Sequence, residues 1–148
     1  MAIWFGSPAQ PFPAIDDANQ RLRGLLPGHL GIVLTEFGED YLSGTMPVEP
    51  RTHQPMGYLH GGASVVLAET LGSFAANYVV DTGKYRCLGQ EINANHLRPV
   101  TSGLVTGTAR AIHLGARSQV WGIEIRDPKE RLVCISRLTV AIIEWRPT

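Results

Sequence analysis

Between Gly61 and Val80 the chain reads GGASVVLAETLGSFAANYVV, and Glu69 is the one side chain in that stretch that is charged at neutral pH. At ~3.6 residues per turn this is a helix of roughly five turns. Apolar residues cover almost every face, so the helix is buried against something. Four runs of strand character follow: Leu88 to Arg98, Leu104 to His113, Ser118 to Arg126 and Leu132 to Glu144, separated by turn signals such as Thr101-Ser102-Gly103 and Asp127-Pro128. In the last run Leu132, Cys134, Ser136, Leu138, Val140 and Ile142 share one face, and the helix is the apolar partner at hand. Trp121, Ile123 and Ile125 alternate with Gly122, Glu124 and Arg126 in the same way. Upstream, Leu30 to Phe37 and Tyr41 to Val48 flank Gly38-Glu39-Asp40 and read as a hairpin. Short connections favour antiparallel pairing, so the expected class is α+β, one long helix on a sheet of five or six strands.

At 148 residues the chain has the length of a single domain, 1–148, with an adequate core and no room for a two-domain cleft. Pro8, Pro11 and Pro13 make residues 1–13 an extended surface arm. Asp16 is expected to cap a short helix running to about Leu25 and ended by Pro27-Gly28, and Glu49 to Leu59 to form a loop. Thirteen Lys and Arg balance thirteen Asp and Glu, so there is no global field to draw in a polyanion and no nucleic-acid partner is expected, while local basic patches stay open. Cys87 and Cys134 lie far apart in apolar surroundings and read as free, buried thiols of a reducing compartment. With no signal-peptide pattern in Met1 to Pro13, and no run apolar enough over the ~20 residues that span a bilayer, a cytoplasmic protein with no membrane partner is expected. The five histidines form no HxxxH or HExxH pair, so no metal and no other cofactor is expected.

A carboxylate on an all-apolar helix is costly unless paired, hydrogen-bonded or protonated. Glu69 is therefore either a structural group at the helix edge or a general base. Ser73 lies one turn on and on the same face, where its hydroxyl either orients that carboxylate or merely packs. At the other end, Gly61-Gly62 let a ligand approach the free N–H groups and positive dipole end of the helix, which suit a developing oxyanion. The eight residues from Gly61 to Glu69 span about 12 Å of helix, and a reacting atom must sit within ~3 Å of both base and donor. If both are catalytic, Glu69 of one subunit faces the Gly61 end of another across a two-fold axis.

The string His53-Gln54-Pro55, Gly57 and Leu59 through Glu69 resembles the hotdog-fold acyl-CoA thioesterases, as do Glu91 to Arg98 and His113 to Arg117 through Val120-Trp121. More narrowly it resembles the bacterial branch that includes 1,4-dihydroxy-2-naphthoyl-CoA hydrolase, with menaquinone biosynthesis as one setting, and the enterobactin-pathway proofreading thioesterase. The resemblance covers about Gly31 to Ile143. It implies a helix wrapped by an antiparallel sheet, a homodimer that completes the site, and a homotetramer of paired dimers. It also implies hydrolysis of a thioester, coenzyme A entering only as part of the substrate. Glu69 matches the carboxylate that acts as general base or nucleophile, Gly61 the oxyanion-hole N–H, and Gln54 the residue that positions water or thioester. His60 matches a support for the carbonyl or the loop, and Ser73 the hydroxyl beside the carboxylate; the Gln/His/Gly and Glu/Ser groups come from different subunits.

Arg117, Arg98, His96 and Ser118 fall in segments resembling the rim that holds the coenzyme A phosphates, a task suited to the bidentate guanidinium. Tyr58, beside the loop, and Phe74 are candidates for the acyl pocket, whereas Trp4, Trp121 and Trp145 read as packing residues. The expected activity is an acyl-CoA thioesterase for aromatic or hydrophobic acyl groups, with acyl carrier protein thioesters left open as substrates. A non-catalytic acyl-CoA binding module and an enoyl-thioester hydratase on the same fold are the alternatives. Glu69 in its motif speaks against the first, and the lack of the Asp/His pair of the second speaks against the other.

Overall fold

The structure, a computed structural model, describes residues 1–6 and 12–146. Two short helices, α1 (Ile15–Gln20) and α2 (Leu26–His29), precede the hairpin of β1 (Val33–Phe37) and β2 (Tyr41–Val48). The long helix α3 (Gly61–Val79) follows, then β3 (Tyr85–His96), β4 (Gly103–Leu114), β5 (Ser118–Arg126) and β6 (Leu132–Glu144). All six strands form one antiparallel sheet in the order β1-β2-β4-β5-β6-β3, which leaves β3 at an edge. The α+β class and the sheet on one helix are as the sequence implies.

α3 presses Ala63, Leu67, Ala68, Leu71, Ala75 and Ala76 onto the sheet at three- and four-residue spacing. Leu42, Met46, Val105, Ala109, Ile123, Ile125, Leu138 and Val140 meet them from the strands, every one fully buried. Helix and sheet come close because a glycine on each layer makes room for large side chains of the other. A methyl group added at Gly72 of α3 would stand 2.6 Å from Leu138 Cδ2, and one at Gly107 of β4 would stand 2.6 Å from Leu71 Cδ1. The last strand buries Cys134, Ser136, Leu138 and Val140 as its alternation requires. Burial raises the thiol pKa of both cysteines, Cys87 to about 11, so neither is a nucleophile at neutral pH.

The amino-terminal region departs from expectation. The first helix is α1, with Ala14 as its N-cap and no side-chain cap, and Asp16 sits in the first turn instead. Pro27 does not terminate a helix but lies in the first turn of α2, where its missing N–H has no intrahelical role. The loop from Glu49 contains a single 3₁₀ turn, Pro50–Thr52. Residues 1–6 are no loose arm: Ile3 N–H donates to Glu39 O, Phe5 N–H to Tyr78 O at 2.8 Å, and the Trp4 indole to Gly38 O at 2.7 Å. Trp4 is buried edge-on to Phe37, which is itself edge-on to Tyr78. Pro8 and Pro11 lie outside the described residues. Trp145, expected to pack, is largely exposed, with the Arg86 guanidinium stacked 4.8 Å from its ring centre. No helix among the described residues is long and apolar enough to cross a membrane.

The β5–β6 turn is closed by a buried carboxylate. Asp127 accepts from the Arg131 guanidinium at 2.7 Å and from the backbone N–H groups of Lys129 and Arg131. The Arg131 hydrogen bond leads the causes that hold its carboxyl below the usual range. A depressed folded-state pKa stabilises above the unfolded value, ~3.9, and that contribution is lost as pH falls through the folded one. Asp127→Asn is therefore expected to lower the melting temperature at pH 7, the gap from wild type narrowing below about pH 4 in a thermal-melt series.

Candidate active site

Glu69 and Ser73 sit on the outer face of α3, both half-buried, and the Ser73 hydroxyl donates to Glu69 Oε1 at 3.2 Å. The carboxylate lies over Gly89 of the edge strand β3, where any Cβ would run into Glu69 Oε1. One turn beyond Ser73, Asn77 ties the helix to the same strand. Its side-chain amide donates to Ser73 O and Cys87 O, and its carbonyl accepts from Cys87 N–H at 2.9 Å. A cavity of about 390 Å³ opens beside Glu69, walled by Leu26, Pro27, Val65, Val66 and Phe74.

The second group gathers at the start of α3. His60 is the N-cap, and its Nδ1 accepts from Gly62 N–H at 2.8 Å, which leaves the proton of the neutral ring on Nε2. Gly61 N–H has no acceptor among the described residues, as expected of a first-turn helical amide. The loop before it is fixed by His60 N–H to Thr52 O, Leu59 N–H to Val100 O and the His53 ring on Thr101 O. Within it, Gln54 N–H donates to Tyr58 O, Gly57 N–H donates to Gln54 O with Gly57 at φ +81°, and the Gln54 side-chain carbonyl accepts from Met56 N–H. Gln54, Tyr58, Gly61, His96 and Arg98 line a cavity of about 320 Å³.

His96 reaches this cavity because of a β-bulge. Pairing with β6 advances two residues on β3, Gly89 to Glu91, against one on β6, Val140 to Thr139. The extra residue, Gln90, switches the inward face from Cys87 and Gly89 to Ile92, Ala94 and His96. His96 thereby covers Gly61, its Nε2 2.7 Å from where a Gly61 Cβ would be. The sequence reading missed Gly89, Asn77 and the bulge. A glycine seven residues before a histidine in a strand was the visible trace of the first.

The single chain thus brings Gln54, Tyr58, His60, Gly61, His96 and Arg98 to one end of α3, and Glu69 and Ser73 to the middle. It does not bring Arg117 and Ser118 to His96 and Arg98. Ser118 pairs with Ala141 and His96 with Cys134, seven residues apart on β6 and hence about 23 Å at ~3.3 Å per residue. Among the described residues no three His, Cys, Asp or Glu side chains converge as metal ligands.

A six-stranded antiparallel sheet on one main helix is the hotdog arrangement of the thioesterases. The chain belongs to the thioesterase superfamily, whose family model matches residues 56–134, and it is a thioester hydrolase. It is 50% identical over 129 residues to the 1,4-dihydroxy-2-naphthoyl-CoA hydrolase of Escherichia coli, covering 87% of this chain and 94% of that one. The proofreading thioesterase EntH of Cronobacter sakazakii is 51% identical over 120 residues, 81% of this chain and 87% of its own. Among solved structures, a mutant thioesterase of Pseudomonas aeruginosa superposes with a TM-score of 0.92 at 44% identity, covering 97% of this chain and all of that one.

Gly89→Ala should leave the fold intact, because the atom it displaces ends a flexible side chain, and should move the carboxylate by an ångström or so. With Glu69 as the catalytic carboxylate proposed below, a loss of about 10²-fold in kcat at unchanged melting temperature is expected, measured as thiol release from an acyl-CoA.

Proposed function

We propose that the protein hydrolyses an aromatic or hydrophobic acyl-CoA to the free acid and coenzyme A at two composite sites of a homodimer. The observation that carries this is the placement of two incomplete half-sites along one edge strand. Glu69 stands over Gly89 and Gly61 under His96, about 12 Å apart along α3. β3 is a twelve-residue edge, a ready template for a second chain. Antiparallel addition of a second β3 about a two-fold near Asn93 keeps inward residues facing inward and sets Gly89 and Gln90 against His96 of the partner subunit. Each Glu69 then meets the partner's Gly61 end.

In that arrangement the Gly61 N–H donates to the developing oxyanion, His60 holds the loop, and Gln54 positions water or thioester. Glu69, oriented by Ser73, takes a proton from the attacking water, or attacks the carbonyl itself to form an anhydride that water then cleaves. The thiolate leaves without a strong general acid. The same register carries Arg117 and Ser118 of one protomer towards His96 and Arg98 of the other, where the coenzyme A phosphates would lie. The oxygen-bearing Glu69–Ser73 pair favours catalysis over simple acyl-CoA binding. The outer sheet face exposes Leu104, Ile112 and Ile135, which fits pairing of dimers into a tetramer, and two buried free thiols suit a cytoplasmic enzyme.

Glu69→Ala is expected to keep the fold and lose at least about 10²-fold in turnover; near-wild-type thiol release would remove Glu69 from the mechanism. The composite site has its own test. Glu69→Ala and Gln54→Ala proteins, each inactive, are mixed, unfolded and refolded together. About one quarter of wild-type activity should return, since half of random dimers carry one intact site. No recovery would place both groups in one subunit's site.

A further inference from the structure

Beyond Ser73 the groove at Glu69 continues. A second cavity of about 390 Å³ shares Ser73 and Phe74 with the first and runs on to Asn77, Tyr78, Phe5 and Arg21. Three aromatic rings from two separate parts of the chain wall it. Phe5 is held there by its N–H bond to Tyr78 O and by the buried Trp4 beside it, although the residue is 59% exposed. Arg21 closes the far end from the C-cap of α1. That helix is fixed to the sheet: the Asn19 side chain donates to Leu34 O and accepts from Leu34 N–H, both at 2.8 Å, and Ala18 and Leu22 are buried. Arg21 forms no ion pair among the described residues, not even with Asp17 one turn earlier. Burial raises the Tyr78 hydroxyl pKa, the Arg21 charge opposes that rise, and the Asp17 carboxylate adds to it more weakly, so of the two charges felt at Tyr78 the arginine is the stronger.

Resting on the thioesterase reading above, we infer that this second cavity receives the far end of the acyl group, and that Arg21 selects acyl groups carrying an oxygen anion or acceptor there. The thioester carbonyl lies level with Glu69, and Asn77 is eight residues and about 12 Å further along α3. A benzoyl group stops at Ser73 and Phe74, whereas a fused two-ring acyl group enters the second cavity. Flat rings suit its three aromatic walls, and an arginine with no ion-pair partner among the described residues favours an acceptor at the end of such a ring. A site built around such a donor discriminates strongly against the analogue that lacks the acceptor, because the donor is then left unmatched.

The test compares kcat/KM for 6-carboxy-2-naphthoyl-CoA and 2-naphthoyl-CoA, read as thiol release. The wild type should prefer the carboxylated substrate by about tenfold or more. Arg21→Met should bring the ratio close to one, while Arg23→Met, which removes an equal charge outside the cavity, should leave it in place. Phe5→Ala should lower kcat/KM for both naphthoyl substrates. The inference is overturned by a wild-type ratio at or below one, by a ratio that survives Arg21→Met, or by an equal fall in Arg23→Met. Benzoyl-CoA hydrolysis by the wild type keeps the two readings apart: turnover of benzoyl-CoA without the preference sinks the Arg21 inference alone, and silence on all three thioesters sinks the thioesterase reading.

Discussion

The close contact between α3 and the sheet is the constraint on which everything else here depends. Gly72 of the helix receives Leu138 and Ile123 of the sheet, and Gly107 of the sheet receives Leu71 and Leu67 of the helix, so the helix lies close on the strands and its outer face is fixed relative to β3. That fixes Glu69 over Gly89 and Gly61 beneath His96 without further adjustment. A carboxylate on a loosely packed helix would be free to find water or a lysine. Here Asn77 bonds both backbone groups of Cys87 and locks the helix to the start of the edge strand. The polar geometry at Glu69 is in this sense a product of apolar packing.

An unpaired edge beside two half-sites links stability to chemistry. Natural sheets shield their edges, because a row of free N–H and C=O groups invites another strand. β3 is long, is shielded by Asn77 only near its beginning, and carries its bulge where the site residues change face. The bulge costs local pairing, and it turns His96 inward over the helix terminus. The same strand therefore arranges the candidate site residues and, in the dimer we propose, offers the surface through which a second chain would complete the site.

Much of this was legible in the residues. The helix boundaries, the hairpin, four later strands and the inward face of β6 all follow from period and turn chemistry, and the motif around Gly61 and Glu69 pointed to the superfamily. The misreadings share a cause. Asp16, Pro27 and Trp145 were judged by local propensity in a region where tertiary contacts decide: α1 is set by Asn19 on Leu34, α2 accepts Pro27 in its first turn, and Trp145 stacks under Arg86 at the sheet end. Arg117 and Ser118 look contiguous with Arg98 as site residues in sequence, yet the sheet carries them far from it within one chain.

The sequence alone determined the fold class, the helix with its one charge, and the distance that keeps Glu69 from Gly61, because helical rise and apolar periodicity are local properties that no partner can change. Tertiary structure decided that both groups front the same edge strand, that a bulge at Gln90 turns His96 inward, and that the amino-terminal segment and Arg21 close the groove beyond Ser73. Those depend on which surfaces pack together across the sheet, and pairing register and close approach are set by contacts between residues far apart in the chain.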